Sequence, residues 1–108
     1  MQTQIWTALG LAASAVEFSQ PVSMSGSNAL SLTITVFAGA LAAAGVEVFE
    51  SNDLENWKSK GSTFASQAVG SAMTISGFGS IASAYVRFKA TAGGSATVLS
   101  MSINTAFL

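Results

Sequence analysis

Residues 29–37 alternate without a break: Leu30, Leu32, Ile34 and Val36 are apolar, and Ser31, Thr33 and Thr35 between them are polar. Successive side chains of a strand point to opposite faces, so this period of two marks a strand with one dry and one wet face. The same region poses a second question, because residues 29–46 run for eighteen positions without a charge. That length is the lower limit for a membrane helix. The alternation argues against such a helix, and the alanine-rich stretch 39–45, bracketed by Gly39 and Gly45, reads as a loop. No membrane span is expected.

Other segments carry the same character. Strands are expected over residues 2–9, 15–22, 29–37, 46–50, 62–69, 72–76, 84–91 and 96–107. Val16 and Phe18 alternate with Ala15, Glu17 and Ser19, and Pro21 limits the end of that strand to an edge or a turn. Val46 and Val48 face away from Glu47 and Phe49. Val86, Phe88 and Ala90 face away from Tyr85, Arg87 and Lys89. Leu99, Met101, Ile103 and Phe107 share the apolar face of the last strand. Turn signals separate these runs: residues 25–28, the polar stretch 51–56, residues 77–79 and the pair Gly93–Gly94. Two adjacent glycines accept positive φ and predict a hairpin there. About eight short strands, with turns every eight to twelve residues, imply one all-β domain spanning 1–108. The expected fold is an antiparallel β-sandwich, jelly-roll or immunoglobulin-like. Residues 1–28 read either as its first strands or as an N-terminal assembly arm.

Composition narrows the function. The 108 residues include no Cys and no His, which removes thiolate chemistry and the commonest general base and metal ligand. Charged residues make up 8%, against about 25% in an average soluble domain. Four Lys and Arg residues cannot form a stripe that tracks phosphates, so no nucleic-acid partner is expected. The N-terminus lacks a Lys or Arg before its apolar stretch, so no signal peptide is expected.

The charges cluster: Glu47, Glu50, Asp53, Glu55, Lys58 and Lys60 lie close together, Arg87 and Lys89 share a strand face, and Glu17 stands apart. Residues 61–86 and 90–108 carry none. Either one end of the domain is solvated while uncharged flanks meet neighbours, or the charges blunt an edge strand against unwanted pairing. Both can hold at once.

Specific chemistries fit poorly. Asp53 with Glu50 or Glu55 suggests a glycosidase carboxylate pair, but a solvated turn explains them as well. The run from Asp53 to Asn56 lacks the alternating acids and the glycine of an EF-hand loop. Serines without a histidine or a Gly-x-Ser-x-Gly motif do not make a nucleophile. Neither glycine-rich turn opens a helix with a following Lys-Ser or Lys-Thr, as a phosphate loop does. Trp57, Trp6 and Tyr85 could stack on sugar rings, which leaves a glycan or receptor as an alternative ligand. No catalytic residue, cofactor or metal is expected.

Three segments together carry a resemblance: Val46-Glu-Val-Phe-Glu-Ser-Asn-Asp-Leu-Glu-Asn-Trp57, Ala84-Tyr-Val-Arg-Phe-Lys89 and Gly93-Gly-Ser-Ala-Thr-Val98. They resemble small β-sandwich virion proteins of tailed and other bacteriophages. The resemblance covers roughly residues 30–103. It implies that Asn52 and Asp53 shape the turn, that Trp57 packs under it, and that Arg87 pairs with a nearby acid; Trp57 is also expected to be largely buried because single aromatics on strands are more often core. It also implies that the strand from Tyr85 enters a hairpin at Gly93 and Gly94. The function so expected is a non-enzymatic structural subunit of a phage particle: a coat, decoration or other capsid-associated protein. Its partners would be copies of itself and other virion proteins, and it would reside in the virion. A filament or tail-tube subunit is the neighbouring alternative, with residues 85–107 as the hairpin that lines a lumen.

Overall fold

The computed structural model describes residues 2–75 and 81–107. The turn expected at 77–79 lies outside them. Eight strands follow in order: β1 (Gln2–Leu11), β2 (Val16–Phe18), β3 (Val22–Ser23), β4 (Ala29–Ser51), β5 (Lys58–Thr63), β6 (Ala68–Ile75), β7 (Tyr85–Ala92) and β8 (Thr97–Ala106). The described residues contain no helix.

All strand pairs are antiparallel, and β4 organises them. Its first part pairs with β8 on one side and β6 on the other, in registers such as Leu32 with Ile103 and Leu32 with Thr74. Its second part pairs with β7 and β5, with Val48 opposite Phe88 and Gly61. Outside these, β1 pairs with β8, while β2 and β3 pair with β7. The sheet therefore has two halves. One is β1, β8, the start of β4, and β6. The other is β2 and β3, β7, the end of β4, and β5.

The chain crosses between the halves four times at one level, and positive φ recurs at this bend. Ser14, Gly39, Gly45, Phe64 and Ser66 have φ of 61°, 73°, 56°, 57° and 54°. Backbone bonds stitch the crossings together: Ser14 N–H to Gly93 O (2.8 Å), Gly93 N–H to Ala40 O (2.9 Å), Leu41 N–H to Gln67 O (2.9 Å) and Ser66 N–H to Ala42 O (2.9 Å). The sheet curls at this line around one core, to which both halves contribute. Leu30, Leu32, Ile34, Val36, Leu99, Met101 and Ile103 come from one half, and Val46, Val48, Val86 and Phe88 from the other. Each such side chain contributes about 1.5–3 kcal/mol on full burial.

The structure corrects several expectations. Residues 39–45 are not a loop but the bent middle of a 23-residue strand. Glycine is needed at both ends because neighbouring backbone comes close: a Cβ on Gly39 would lie 2.2 Å from Ala96 O, and one on Gly45 would lie 2.3 Å from Thr63 O. The strand expected over 62–69 is instead the end of β5, a turn and the start of β6. Gly93 and Gly94 do not close a hairpin. β7 and β8 lie end to end along the same side of β4 and pair with its two parts. Neither glycine has positive φ, and Gly93 is required instead by closeness, since its Cβ would sit 2.9 Å from Ala40 O. Val16 and Phe18 point outward, each 44% exposed, and Phe107 is exposed beyond the end of β8. Before β4, residues 2–11, 16–18 and 22–23 form edge strands that pair with β8 or β7.

Candidate functional site

The end of β4 turns on a short polar loop. Ser51, buried, donates its hydroxyl to Asp53 Oδ1 (2.9 Å) and accepts the Asp53 and Leu54 N–H groups (3.2 and 3.0 Å). Asp53 Oδ1 also accepts the N–H groups of Asn56 (2.8 Å) and Glu55 (2.9 Å), and Oδ2 accepts the Asn56 side-chain amide (2.7 Å). Hydrogen bonds from Asn56 first, then Glu55 and Ser51, hold the Asp53 carboxyl well below the usual carboxylate range. Asn52 Oδ1 accepts the Ala84 N–H (2.9 Å), which ties this loop to the start of β7. Leu54 takes a φ of 65° in the middle of the loop.

Beyond the loop, side chains converge on Arg87. Its guanidinium carbon lies 4.5 Å from the Trp57 ring centroid, 4.6 Å from Phe18 and 5.8 Å from Phe49. The Lys89 ammonium lies 5.7 Å from Phe18. Register explains the convergence: Phe49 faces Arg87 across β4 and β7, and Phe18 faces Lys89 across β2 and β7. This corrects the expected acid partner of Arg87, because no carboxylate pairs with it among the described residues. The acids nearby are engaged elsewhere. Glu50 pairs with Lys60 (3.4 Å) and accepts the Ser83 hydroxyl, and Glu47 accepts the Ser59 hydroxyl (2.7 Å). Buried Arg87 Nε has no acceptor among the described residues, and aromatic faces surround the guanidinium.

Trp57 is half-buried and lies on the outer face under Arg87. Tyr85 is half-buried and faces Ser51 on β4 and Ser23 on β3. Trp6 is in the core, so it has no free ring face for a ligand. The structure thus brings Asn52, Asp53, Trp57, Tyr85 and Arg87 to one end of one half. Gly93 and Gly94 lie at the bend. Phe18 and Phe49 were not identified as partners of Arg87 from sequence. The signal was available, since Phe49 shares a wet face with Glu47.

The partition of charge is the broader feature. The chain has four Lys and Arg residues and five Asp and Glu residues. Glu17 is on β2, Glu47 and Glu50 on the second part of β4, and Asp53 and Glu55 on the loop. Lys58 and Lys60 are on β5, and Arg87 and Lys89 on β7. All nine therefore belong to one half of the sheet. The half built from β1, β8, the start of β4, and β6 has no charged side chain. Its outer face carries Thr33, Thr35 and Ser71, with Thr35 and Ser71 hydroxyls 3.1 Å apart. Phe37, Val69 and Met73 also lie on it, 57%, 63% and 58% exposed.

Where β1 diverges from β2 and β3, an uncharged cleft of about 260 Å³ is lined by Thr3, Ile5, Pro21 and Val22 among others. No three His, Cys, Asp or Glu side chains come close enough to hold a metal ion among the described residues. No described helix is long and apolar enough to cross a membrane. No protein-family model matches the chain, and a search of curated proteins finds no match.

Proposed function

We propose that this chain is a non-enzymatic structural subunit of a phage particle, a coat, decoration or other capsid-associated protein, that assembles through its charge-free half. The observation that carries this reading is the segregation of all nine charges onto the other half. Burying an unpaired charge in a contact is costly, whereas a face of threonine, serine and isolated apolar side chains loses little on desolvation. The partners are copies of the same chain and other virion proteins, and the location is the virion.

We read the curled sheet as a two-layered jelly roll. Its nested pairing supports this: β1 with β8, β2 with β7, the start of β4 with β6, and the end of β4 with β5. That is the order in which a long antiparallel ribbon wraps into two four-stranded layers, and it favours the jelly roll over the immunoglobulin-like alternative. The Thr63 and Thr74 hydroxyls, 2.9 Å apart, support facing layers, because Thr63 pairs with Val46 and Thr74 with Leu32, from the two parts of β4. Jelly rolls occur in viral capsids and also in lectins, so the charge pattern, and not the fold, bears the functional argument. The tail-tube reading loses support, since β7 and β8 form no lumen-lining hairpin.

A glycan-binding reading is favoured by a single observation, the half-exposed Phe18 and half-buried Trp57 flanking Arg87. One experiment separates the two. Light scattering and negative-stain microscopy of the purified protein should find large assemblies. Thr33→Glu on the uncharged face should dissolve them with little change in Tm, and Glu55→Gln should leave them intact. A wild-type protein that stays a 10.9 kDa monomer at high concentration sinks the assembly reading. Saturable glycan binding abolished by Trp57→Ala in a fully folded variant supports the other.

A further inference from the structure

We propose that β6 is a self-complementary edge, through which two copies of this chain pair antiparallel about a two-fold axis at Ser71. This rests on the assembly reading and names the contact. The four edges of the sheet differ sharply. β5 carries Lys58 and Lys60 and is bulged against β4 at Val48 and Phe49. β2 and β3 are three and two residues long, β2 carries Glu17, and Pro21 lies between them. β1 is uncharged but bulged twice, and Ala8 takes a φ of 51°. Charge, proline, shortness and bulges are the devices that stop an edge from templating another strand.

β6 lacks the charges, the proline and the shortness of the other edges, and its one register shift against β4 falls between Ala68 and Gly70, where Gly70 takes a φ of 135°. It is eight residues long, without charge or proline, and its register with β4 is unbroken from Gly70 to Ile75. No other described strand pairs with its far side. Residues 68–71 are all exposed, and a Cβ on Gly70 would meet nothing within 4 Å. Edge N–H and C=O groups need partners, and another strand supplies them.

The pattern also fixes the occupant. Val69, Ser71 and Met73 share the outer face, as their exposure and their pairing beside Thr33 and Thr35 require. Antiparallel pairing centred on Ser71 sets Val69 against the partner's Met73 and Met73 against the partner's Val69. These exposed apolar side chains then cover one another as cross-strand pairs. Gly70 meets the partner's Ala72, a pair without bulk. The strand has no charge to match, so the complementary surface must also be uncharged. A second copy supplies both that and the mirrored spacing. The result is an isologous contact that closes at two copies and leaves the outer faces free for higher assembly.

Because the chain has no cysteine, a single thiol reports the register. Directly opposed antiparallel residues have Cα atoms about 4.5–5.5 Å apart, within the disulfide range of about 4.4–6.8 Å. Ser71→Cys should form a covalent dimer under mild oxidation at low protein concentration, in near-complete yield. Val69→Cys alone should stay largely uncrosslinked, whereas Val69→Cys combined with Met73→Cys should crosslink. Met73→Lys, with unchanged circular dichroism, should raise the dimer dissociation constant at least tenfold by sedimentation. Assemblies in which Ser71→Cys fails to crosslink overturn this pairing while leaving the assembly reading intact. A protein that is monomeric throughout overturns both.

Discussion

Asp53 is exposed, yet its carboxylate accepts four hydrogen bonds, from Ser51, Glu55 and twice from Asn56. Those bonds favour the charged form in the folded state, so the folded pKa lies below the unfolded one. The stability they contribute is therefore fully present above the unfolded carboxylate value of about 3.9 and is lost as pH falls below it. Thermal melts should show wild type exceeding Asp53→Asn by a constant margin above about pH 5 and by a shrinking one from about pH 4 downward. A margin that does not change with pH would mean that the carboxylate charge does not brace the loop. The role of Asp53 in shaping a turn was legible, because Asp and Asn side chains fold back onto nearby N–H groups. The surroundings of Arg87 were not. Its contacts come from β2, β4 and the residue before β5, far apart in sequence, and only strand register brings Phe18, Phe49 and Trp57 around it.

At the scale of the element, β4 shows where alternation succeeds and where composition misleads. Its first apolar face, from Leu30 to Val36, and its second, Val46 and Val48, are buried as period two requires. The span between them has the composition of a loop, and nothing local reveals that its glycines serve a bend under neighbouring strands. The polar β5 escaped for the converse reason: Lys58-Ser-Lys-Gly-Ser-Thr63 has no apolar face, and it is a strand because β4 offers it an edge. The bend can be tested through its glycines. Gly39→Ala and Gly45→Ala each combine positive φ with a Cβ inside contact distance of backbone oxygen, which cannot move as a side chain can. Each should cost more than the ~1–2 kcal/mol of the conformation alone in denaturant unfolding. Gly94→Ala, with open space around it and no positive φ, should stay within about 0.5 kcal/mol of wild type. Equal effects at all three would refute the bend as the source of the requirement.

At the scale of the whole molecule, the clustering of charge was visible along the chain, but its confinement to one half of the sheet was not. It depends on β4 changing neighbours at the bend, which puts the uncharged residues 29–46 mostly with β6 and β8 and puts Glu47 and Glu50 with β5 and β7. The partition has a consequence for how any assembly responds to its solvent. Attraction between exposed charges is screened over about 10 Å at 0.1 M salt and over about 3 Å at 1 M. Contacts made by faces without charged side chains have little to screen, whereas contacts made through Arg87, Lys89 and the acidic loop would weaken steadily. Sulfate, excluded from protein surfaces, strengthens burial of uncharged surface. Light scattering across a sodium chloride series should therefore find assembly size and midpoint concentration nearly constant, and sodium sulfate should lower the midpoint. Assemblies that dissolve as sodium chloride rises would place the contact on the charged half, and the role given to the silent half would have to pass to it.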